Sequence, residues 1–418
     1  MRSAESVAVG ASLALAGTAL LLPDAARGSG FQLQEQSASG LGLAYAGMAA
    51  STEDASTVFW NPAGISQGLT GIEISGASLY INPTTRFRSS TGSSTLDGGD
   101  GGVSSFVPSL YVRAPLRSNV GVGLAINAPF GLSTDWDAQW AGMYRALISK
   151  SETLNINPAV GMTVGPYLSV GAGVSYQRLK AKLTNAVTPL VPGSEGRLDG
   201  SDWSWGWNVG ARADFPTGTR VGLTYRSHTD YNIGGTLGFN KAVLAPLDSN
   251  VRTSLRLPPT ASFAVSQLLT PKLRVLADYT WTGWDTVQSL TVVAIDGAQA
   301  RQVVSDTGLK FSDSWRAGLG FEYQISTQWL LRAGVAYDRS PVQDAFRTPR
   351  LPDADRKWFA LGARWEASSR LSLDMGGAYL WVQAAPSELT SALPVPGALI
   401  GTYRSHIVIF GSQLNYRF

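Results

Sequence analysis

The strongest constraint in this 418-residue chain is an alternation of apolar with small or polar residues at a period of two. In residues 168–177, Leu, Val, Ala, Val and Tyr alternate with Ser, Gly, Gly, Ser and Gln. Related patterns occupy residues 120–127, 272–281, 315–324 and 331–338. A period of two is the signature of a β-strand with two different faces. The chain is therefore predicted to be all-β, with one apolar face and one face of small or charged residues.

The connections between these strands help to decide between a soluble sandwich and a membrane barrel, since both have an apolar face. Fourteen strands can be placed after residue 68, and their connections alternate strictly between short and long. The short connections are 115–119, 165–167, 214–218, 270–271, 326–328 and 368–370, and the long ones lie near 83–105, 129–151, 180–202, 231–253, 283–313, 339–356 and 384–402. Short turns on the periplasmic side and long loops outside are typical of outer-membrane barrels. The sequence predicts a 14-stranded antiparallel transmembrane β-barrel over residues 69–418, several of whose strands extend beyond the membrane.

The composition excludes several other classes of protein. Only 15% of the residues are charged, against about 25% in an average soluble domain, and the net charge is +3. A balance so close to neutral predicts no nucleic-acid partner. The chain has no Cys and two His, which excludes disulfide scaffolds and thiolate metal sites. No metal, cofactor or catalytic residue is predicted.

Residues 1–28 are predicted to be a cleaved export signal. Arg2 precedes a charge-free run from Val7 to Leu22, Pro23 ends this run, and Ala26-Arg27-Gly28 places small residues where a signal peptidase reads them. The alternative is a short membrane anchor, although the run is short for a spanning helix. Export of a chain without cysteine fits the outer membrane of a Gram-negative bacterium.

Residues 29–68 differ from the rest of the chain, because they show no alternation and are rich in Ala, Gly and Ser. A barrel of fourteen strands lies between filled eight-stranded barrels and open porins, so its lumen needs filling. Small residues allow close packing inside a barrel, and we predict that residues 29–68 form a hatch within the lumen. Asn61, Pro62 and Ala63 fit the start of a helical turn, with Asn as the cap and Pro in the first turn, or a simple turn.

Several segments resemble the long-chain fatty acid transporter family of outer-membrane proteins. They are Gly30–Leu33, Ser39–Gly42, Ala44–Gly47, Asp54-Ala55, Asn61–Gly64, Pro129–Leu132, Trp140–Ala146, Asn155–Ala159 and the terminal Phe418. The resemblance implies a 14-stranded barrel with an N-terminal hatch that takes up fatty acids or aromatic hydrocarbons passively. It also implies capture at extracellular loops and sideways release through the barrel wall beside a kinked strand. The hatch role carries over to Asn61, Pro62 and Ala63.

The long connection at 129–151 is rich in large apolar residues, which are costly in an extracellular loop unless they pack together or receive a ligand. Both interpretations stay open, and they are compatible. The candidate ligand-capture residues are Phe130, Leu132, Trp136, Trp140, Met143 and Tyr144.

The end of the chain resembles the assembly signal of outer-membrane barrels. Tyr416 and the terminal Phe418 close a stretch of alternating apolar residues. The expected partners are a hydrophobic small molecule, outer-membrane lipid with lipopolysaccharide, and the barrel assembly machinery, and the protein is expected to be a monomer.

Two alternatives belong to other functional classes. A general diffusion porin needs an open lumen with a charged constriction, which the predicted hatch and the apolar loops disfavour. An outer-membrane hydrolase needs a converging nucleophile and base, and the only hint of one is Ser227-His228-Thr229-Asp230. Residues so close in sequence rarely form a triad, so we predict that the protein is not an enzyme.

Overall fold

A computed structural model describes residues 30–90, 96–389 and 398–418. The predicted export signal, residues 1–28, lies outside the described residues. None of the helices within the described part of the chain is long and apolar enough to cross a membrane.

The described residues form twenty strands, which all belong to one antiparallel sheet. They are β1 (Glu73–Ser89), β2 (Ser105–Arg117), β3 (Val120–Asn127), β4 (Gly131–Asp135), β5 (Ile148–Val164), β6 (Leu168–Ala186), β7 (Glu195–Asp214), β8 (Thr219–Arg226), β9 (Thr229–Phe239), β10 (Ser249–Leu257), β11 (Thr260–Thr270), β12 (Leu273–Thr282), β13 (Ser289–Ala294), β14 (Val303–Gly308), β15 (Ser314–Gln324), β16 (Trp329–Asp338), β17 (Arg356–Glu366), β18 (Leu371–Val382), β19 (Ala385–Leu389) and β20 (Leu399–Arg417).

The sheet closes on itself, because β20 pairs with β1 from Glu73↔Arg417 to Ser89↔Gly401. Six wall positions consist of two consecutive strands each, namely β3/β4, β8/β9, β10/β11, β12/β13, β14/β15 and β18/β19. The barrel therefore has fourteen wall positions, which confirms the predicted fold. Tight turns join the strands at one end, which we call the short-turn end, and we call the opposite end the loop end.

The helices of the described residues are short. Within the described residues, α1 spans Ala38–Leu41, α2 spans Thr57–Trp60, and 3-10 turns occupy Met48–Ala50, Pro62–Gly64, Ala242–Leu247, Trp284–Thr286 and Asp344–Phe346. The turn at Pro62–Gly64 has Asn61 as its cap, since the Asn61 side chain accepts a hydrogen bond from the Ala63 amide. The local helix start predicted from the sequence is therefore present as a 3-10 turn.

Residues 30–67, which we call the N-terminal segment, lie inside the barrel. Polar contacts tie this segment to strands on different sides of the wall. The Ala38 amide donates to Gln413 of β20 at 3.0 Å, and the Ala55 amide donates to Ser75 of β1 at 3.1 Å. On another side, the Asn61 side chain donates to the Ala211 carbonyl of β7 at 3.1 Å. A chain that contacts several sides of a closed wall fills its interior.

Four glycines make room for the end of this segment. Gly121, Gly161, Gly171 and Gly210 lie opposite one another across β3, β5, β6 and β7, and we call them the glycine row. A Cβ atom on Gly171 would lie 2.3 Å from the Pro62 carbonyl carbon, which no side chain tolerates. The glycine row is therefore a flat notch in the wall that accepts the turn at Pro62.

Candidate functional site

A cavity of about 660 Å³ lies between the N-terminal segment and the wall. Its lining comes from both sides of the wall. Residues on the inner side include Phe31, Leu33, Glu35, Ile81, Val107, Phe130, Leu351, Arg356 and Ile407, and residues with exposed outer faces include Phe106, Pro108, Leu110, Leu154, Arg178 and Lys180. The cavity thus connects the interior of the barrel with its outer surface.

This connection exists because the sheet is open between β2 and β4. The pairing of β2 with β3 runs from Leu110↔Ile126 to Arg117↔Val120. Beyond it, residues 105–109 of β2 pair only with β1, and β4 pairs with β5. Beyond the end of β2, an isolated bridge joins Gly102 to Thr134, and the Asp135 amide donates to the Gly101 carbonyl at 3.1 Å. We call the opening the wall gap.

Both edges of the wall gap carry a proline, which has no amide hydrogen to donate to a ladder. Pro108 lies within β2, and Pro129 lies in the break between β3 and β4. The inner side of that break pairs with the N-terminal segment instead. The Leu33 amide donates to the Pro129 carbonyl at 2.9 Å, and the Gly131 amide donates to the Phe31 carbonyl at 2.9 Å.

A small amide network holds the segment at this position. The Gln36 side chain donates to the Ala128 carbonyl at 2.9 Å and accepts from Asn127 at 2.7 Å. Asn127 in turn accepts from Asn155 at 2.8 Å. Because buried amides need partners, these residues fix the N-terminal segment beside the wall gap.

Charged groups of the barrel interior also line the cavity. The Arg356 guanidinium donates to the Gly30 carbonyl at 3.0 Å and to the Asp353 carboxylate at 2.7 Å. Glu35 is buried nearby, and burial raises the pKa of its carboxyl from 4.5 to about 7, an effect that Asp338 increases and Arg356 opposes. The Glu35 carboxyl therefore changes charge near neutral pH.

The predicted hatch residues lie away from the wall gap. Asn61 is fully buried and donates to the Ala49 carbonyl at 2.7 Å, while Pro62 lies against the glycine row and Ala63 is buried beside it. Gly161 is six residues farther along β5 than Asn155, which pairs with the last residue of β3, and this separation corresponds to about 20 Å of strand. The part of the segment at the wall gap is Phe31–Leu33.

The six candidate capture residues do not lie together. Phe130 and Leu132 line the cavity. Trp136 and Trp140 are buried in a different cluster, where their rings stack with centroids 4.5 Å apart, and the Trp136 indole donates to the Pro349 carbonyl at 3.0 Å. Met143 packs partly buried against that cluster, and Tyr144 is half-buried outside the cavity lining. Self-packing thus accounts for the two tryptophans in this structure.

The end of the chain lies at the seam that closes the barrel. The Phe418 amide donates to the Ile72 carbonyl at 2.9 Å, and the rings of Tyr416 and Phe418 meet edge to face at 4.7 Å. Both rings are exposed on the outside of β20. Their role in assembly stays a prediction.

The segment that suggested a hydrolase does not form a relay. Ser227 and Thr229 are buried on the inner side, whereas His228 and Asp230 are exposed on the outer side. The Ser227 hydroxyl donates to the His228 backbone carbonyl at 3.0 Å, and Asp230 accepts from Arg256 at 2.5 Å. The seryl oxygen and the imidazole therefore point away from each other.

Sequence reasoning missed the arginines that hold the N-terminal segment. Five wall arginines donate to its backbone carbonyls, namely Arg113 to Gly64, Arg226 to Phe59, Arg316 to Ala44, Arg356 to Gly30 and Arg364 to Glu53. A charged residue within the small-residue face of a strand is their sequence signal. It does not reveal which carbonyl each arginine meets.

Comparisons with known proteins agree with this architecture. The family described as "Outer membrane protein transport protein (OMPP1/FadL/TodX)" matches residues 19–418. The chain is 30% identical to outer membrane protein P1 of Haemophilus influenzae, with 97% of this chain and 98% of that protein covered. It is 29% identical to a long-chain fatty acid transport protein of Escherichia coli O6:H1, with the same coverage.

Solved structures share the fold. A FadL homologue of Pseudomonas aeruginosa superposes with a TM-score of 0.85 at 22% identity, covering 93% of this chain and 100% of that one. The toluene transporter TbuX of Ralstonia pickettii gives a TM-score of 0.67 at 18% identity, covering 90% and 98%. The chain is an outer-membrane β-barrel, and it belongs to the OMPP1/FadL/TodX family of outer-membrane transport proteins.

Proposed function

We propose that this protein takes up hydrophobic molecules passively across the outer membrane, with long-chain fatty acids or aromatic hydrocarbons as the cargo. The observation that carries the proposal is the cavity that passes from the barrel interior to the outer surface through the wall gap. Two of its relatives by name or structure are a long-chain fatty acid transport protein and a toluene transporter. The cavity gives this chain a route for cargo of that kind.

Release into the membrane is favoured over release into water. Each CH₂ group transferred from an apolar site to water costs about 0.8 kcal/mol. A sixteen-carbon chain would thus resist aqueous release by on the order of 12 kcal/mol. A passage that ends at the lipid-facing surface avoids this barrier, whereas a straight water-filled channel does not.

The proposed path runs from the long loops, which face the outside of the cell, through the cavity and sideways through the wall gap. Residues 1–28 act as the cleaved export signal, residues 29–68 as the hatch and residues 69–418 as the barrel. Within the hatch, the turn at Asn61, Pro62 and Ala63 is the anchor. Residues 31–33 are the gate, since they bond the break in the wall from inside.

The two alternatives fit the molecule less well. A general diffusion porin would require an open lumen, but the N-terminal segment fills the interior along the described strands. The proposed uptake includes no enzymatic step. We further propose that the protein works as a monomer which the barrel assembly machinery inserts, with Phe418 and Tyr416 as its assembly signal.

The proposal is tested by filling the cavity beside the wall gap. Val107 and Leu132 line it, and the double variant Val107→Trp/Leu132→Trp adds two large rings there. Uptake of radiolabelled oleate or toluene by cells should fall by on the order of tenfold or more. A tenfold decrease corresponds to a free-energy difference of about 1.4 kcal/mol. Uptake at the wild-type rate would overturn the proposal.

A matched control adds the same rings on the lipid-facing surface. Val122 and Leu361 are exposed there, and Val122→Trp/Leu361→Trp should leave uptake unchanged. Heat-modifiable mobility in gels verifies that each variant forms a folded barrel at equal surface abundance.

A further inference from the structure

The outer face of β5 and β6 carries a group of basic side chains near the loop end. Lys150, Arg178, Lys180 and Lys182 occupy outward positions, and we call them the basic face. The alternation is clear in β6, where Gln177 and Leu179 are buried while Arg178 and Lys180 are exposed. Lys182 shares this side of the sheet with Lys150, since the two are register partners.

The basic face lies at the level of lipid headgroups. Arg178, the member nearest the short-turn end on β6, pairs across the sheet with Trp203. Two residues closer to the short-turn end, the Tyr176 ring stacks on the Trp203 ring with centroids 4.6 Å apart, and its centroid lies 4.4 Å from that of Trp205. Exposed aromatic residues of this kind form the girdle at the membrane–water interface. Lys180 is two residues beyond Arg178, about 7 Å farther from the membrane core.

The charges of the basic face are only partly balanced by the protein. Glu152, which pairs with Lys180 in register, bonds Lys150 at 2.6 Å. Asp199, which pairs with Lys182 in register, bonds Arg197 instead. Arg178, Lys180 and Lys182 make no ion pair with any residue in the described parts of the chain. Moreover, Lys150 and Lys182 lie directly opposite each other, and like charges at opposed positions destabilise a sheet. An anion bound between the strands would relieve this repulsion.

We propose that the basic face binds the phosphate groups of a phosphorylated glycolipid in the outer leaflet. The assignment rests on the proposed orientation, with the long loops outside the cell. Phosphate is the anion that lipid headgroups offer at this depth, and clustered Lys and Arg beside a membrane surface recognise it. Three uncompensated cations at alternate positions of β6, about 7 Å apart, suit a headgroup with more than one phosphate.

The position of the site gives the bound lipid a second consequence. Lys150, Arg178 and Lys180 also line the outer mouth of the cavity. A lipid held by them lies at the rim of the wall gap, with its acyl chains extending towards the membrane core past Leu154 and the girdle. Cargo that leaves the cavity therefore meets a lipid fixed by the protein.

The test compares lipid binding by two charge-matched variants of the full-length protein in detergent. Arg178→Gln/Lys180→Gln/Lys182→Gln removes three charges from the basic face. Arg117→Gln/Lys272→Gln/Arg370→Gln removes three exposed charges at the short-turn end. The probe is lipid A with two phosphates, and native mass spectrometry counts the bound lipid. The basic-face variant should bind on the order of tenfold more weakly, and the short-turn variant should match the wild type.

Two further arms identify the recognised group. Lipid A stripped of its phosphates, with the same acyl chains, should bind the wild type as weakly as intact lipid A binds the basic-face variant. The conservative variant Arg178→Lys/Lys180→Arg/Lys182→Arg should retain binding. Equal binding by the wild type and the basic-face variant, or equal binding of phosphorylated and stripped lipid, would overturn the assignment. Inorganic phosphate that fully displaces the lipid at low concentration would also overturn it, since the site would then be one for the free ion.

Because this measurement uses no cargo, it is independent of the uptake experiment. Loss of lipid binding with normal uptake leaves the proposed function intact. Blocked uptake in the variant with a filled cavity does not bear on the lipid site.

Discussion

The two ends of the N-terminal segment contact the wall in different ways. Around Asn61 and Pro62 the backbone lies in the glycine row, where an added methyl group would meet carbonyl atoms at 2.3–2.4 Å. Around Phe31–Leu33 the segment lies against a break in the sheet, through two backbone hydrogen bonds, with an open cavity beside it. Close packing against the glycine row holds the first end, whereas a few directional hydrogen bonds hold the second. This difference supports the proposal that the first end anchors the segment and the second end gates the wall gap.

Wall arginines strengthen the anchored part of the segment. Arg113 donates to the Gly64 carbonyl and is held by Glu73, with 2.6 Å between the charged atoms. Arg364 donates to the Glu53 carbonyl and is held by Asp374 at 2.9 Å. Removing one partner of such a buried pair leaves the other charge buried without a counter-ion, which is strongly destabilising. Near Phe31, among the described residues, Arg356 fulfils a similar role at Gly30.

The largest effect is expected from closing the glycine row. Gly171→Leu places a side chain where the Pro62 carbonyl lies. Overpacking of this kind costs about 1–3 kcal/mol or more, so we expect the barrel to assemble with its N-terminal segment displaced. Liposomes containing the variant should swell in sugar solutions that do not enter wild-type liposomes.

Gly234 supplies the control for this variant. An added Cβ there would meet no atom within 4 Å, so liposomes containing Gly234→Leu should remain impermeable to the sugars. If the Gly171→Leu protein is folded and its liposomes exclude sugars as well as wild-type liposomes do, the glycine row does not act as an anchor.

A smaller effect is expected from Asn61→Ala/Pro62→Ala. The change removes the bonds of Asn61 to the Ala49 and Ala211 carbonyls and its cap on the Ala63 amide. Each buried group left without a partner costs about 1–3 kcal/mol. We expect lower uptake of a hydrophobic substrate by cells with matched surface expression, while the barrel still assembles.

The matched control is Asn119→Ala/Pro166→Ala, which changes the same residue types in exposed short turns. It should transport normally. Full uptake in the Asn61→Ala/Pro62→Ala protein, or leakage of small sugars as its only phenotype, would rule out a gating hatch.

The sequence predicted the wall far better than the interior. Alternation and connection lengths depend on each strand having one apolar face, and this property is local, so the short turns at 165–167 and 368–370 coincide with the ends of real strands. The meeting of Phe31 with Pro129 depends on the closed barrel, because the two residues are far apart in sequence. The glycine row is likewise invisible until the register brings Gly121, Gly161 and Gly171 side by side.

A still smaller effect on uptake is expected at the loop end, from the stacked pair Trp136 and Trp140. Replacing a buried Trp with a much smaller residue costs about 3–5 kcal/mol, so Trp136→Gln/Trp140→Gln should loosen the surrounding loops. We expect initial binding of substrate to cells to weaken more than the later translocation step. The control, Trp205→Gln/Trp207→Gln on the outer face, should leave initial binding unchanged. If the two steps weaken equally, the pair has no separate role in capture.

The smallest effect, and the one that sharpens the description of the gating end, concerns Glu35. Its pKa is raised to about 7 by burial, against 4.5 when unburied. Below about pH 4.5 the carboxyl is neutral in both the folded and the unfolded chain, and stability is at its full value. As the pH rises from there to about 7, the unfolded chain loses the proton first and stability falls. Above about 7 the folded protein carries the buried charge, and the loss is complete.

The same charge distinguishes between kinds of cargo. Glu35 lines the cavity together with Arg356, whose charge is shared with Asp353, so an ionised Glu35 repels a carboxylate and has little effect on a hydrocarbon. Between about pH 6 and about pH 8, the affinity of the purified protein for a fatty acid should fall several-fold, with toluene unaffected. In Glu35→Gln the affinity for the fatty acid should depend less on pH, since residue 35 no longer titrates. A Glu35→Gln protein with the wild-type slope would place the titrating group elsewhere, and the gating end would then bind its cargo through shape and apolar contact alone.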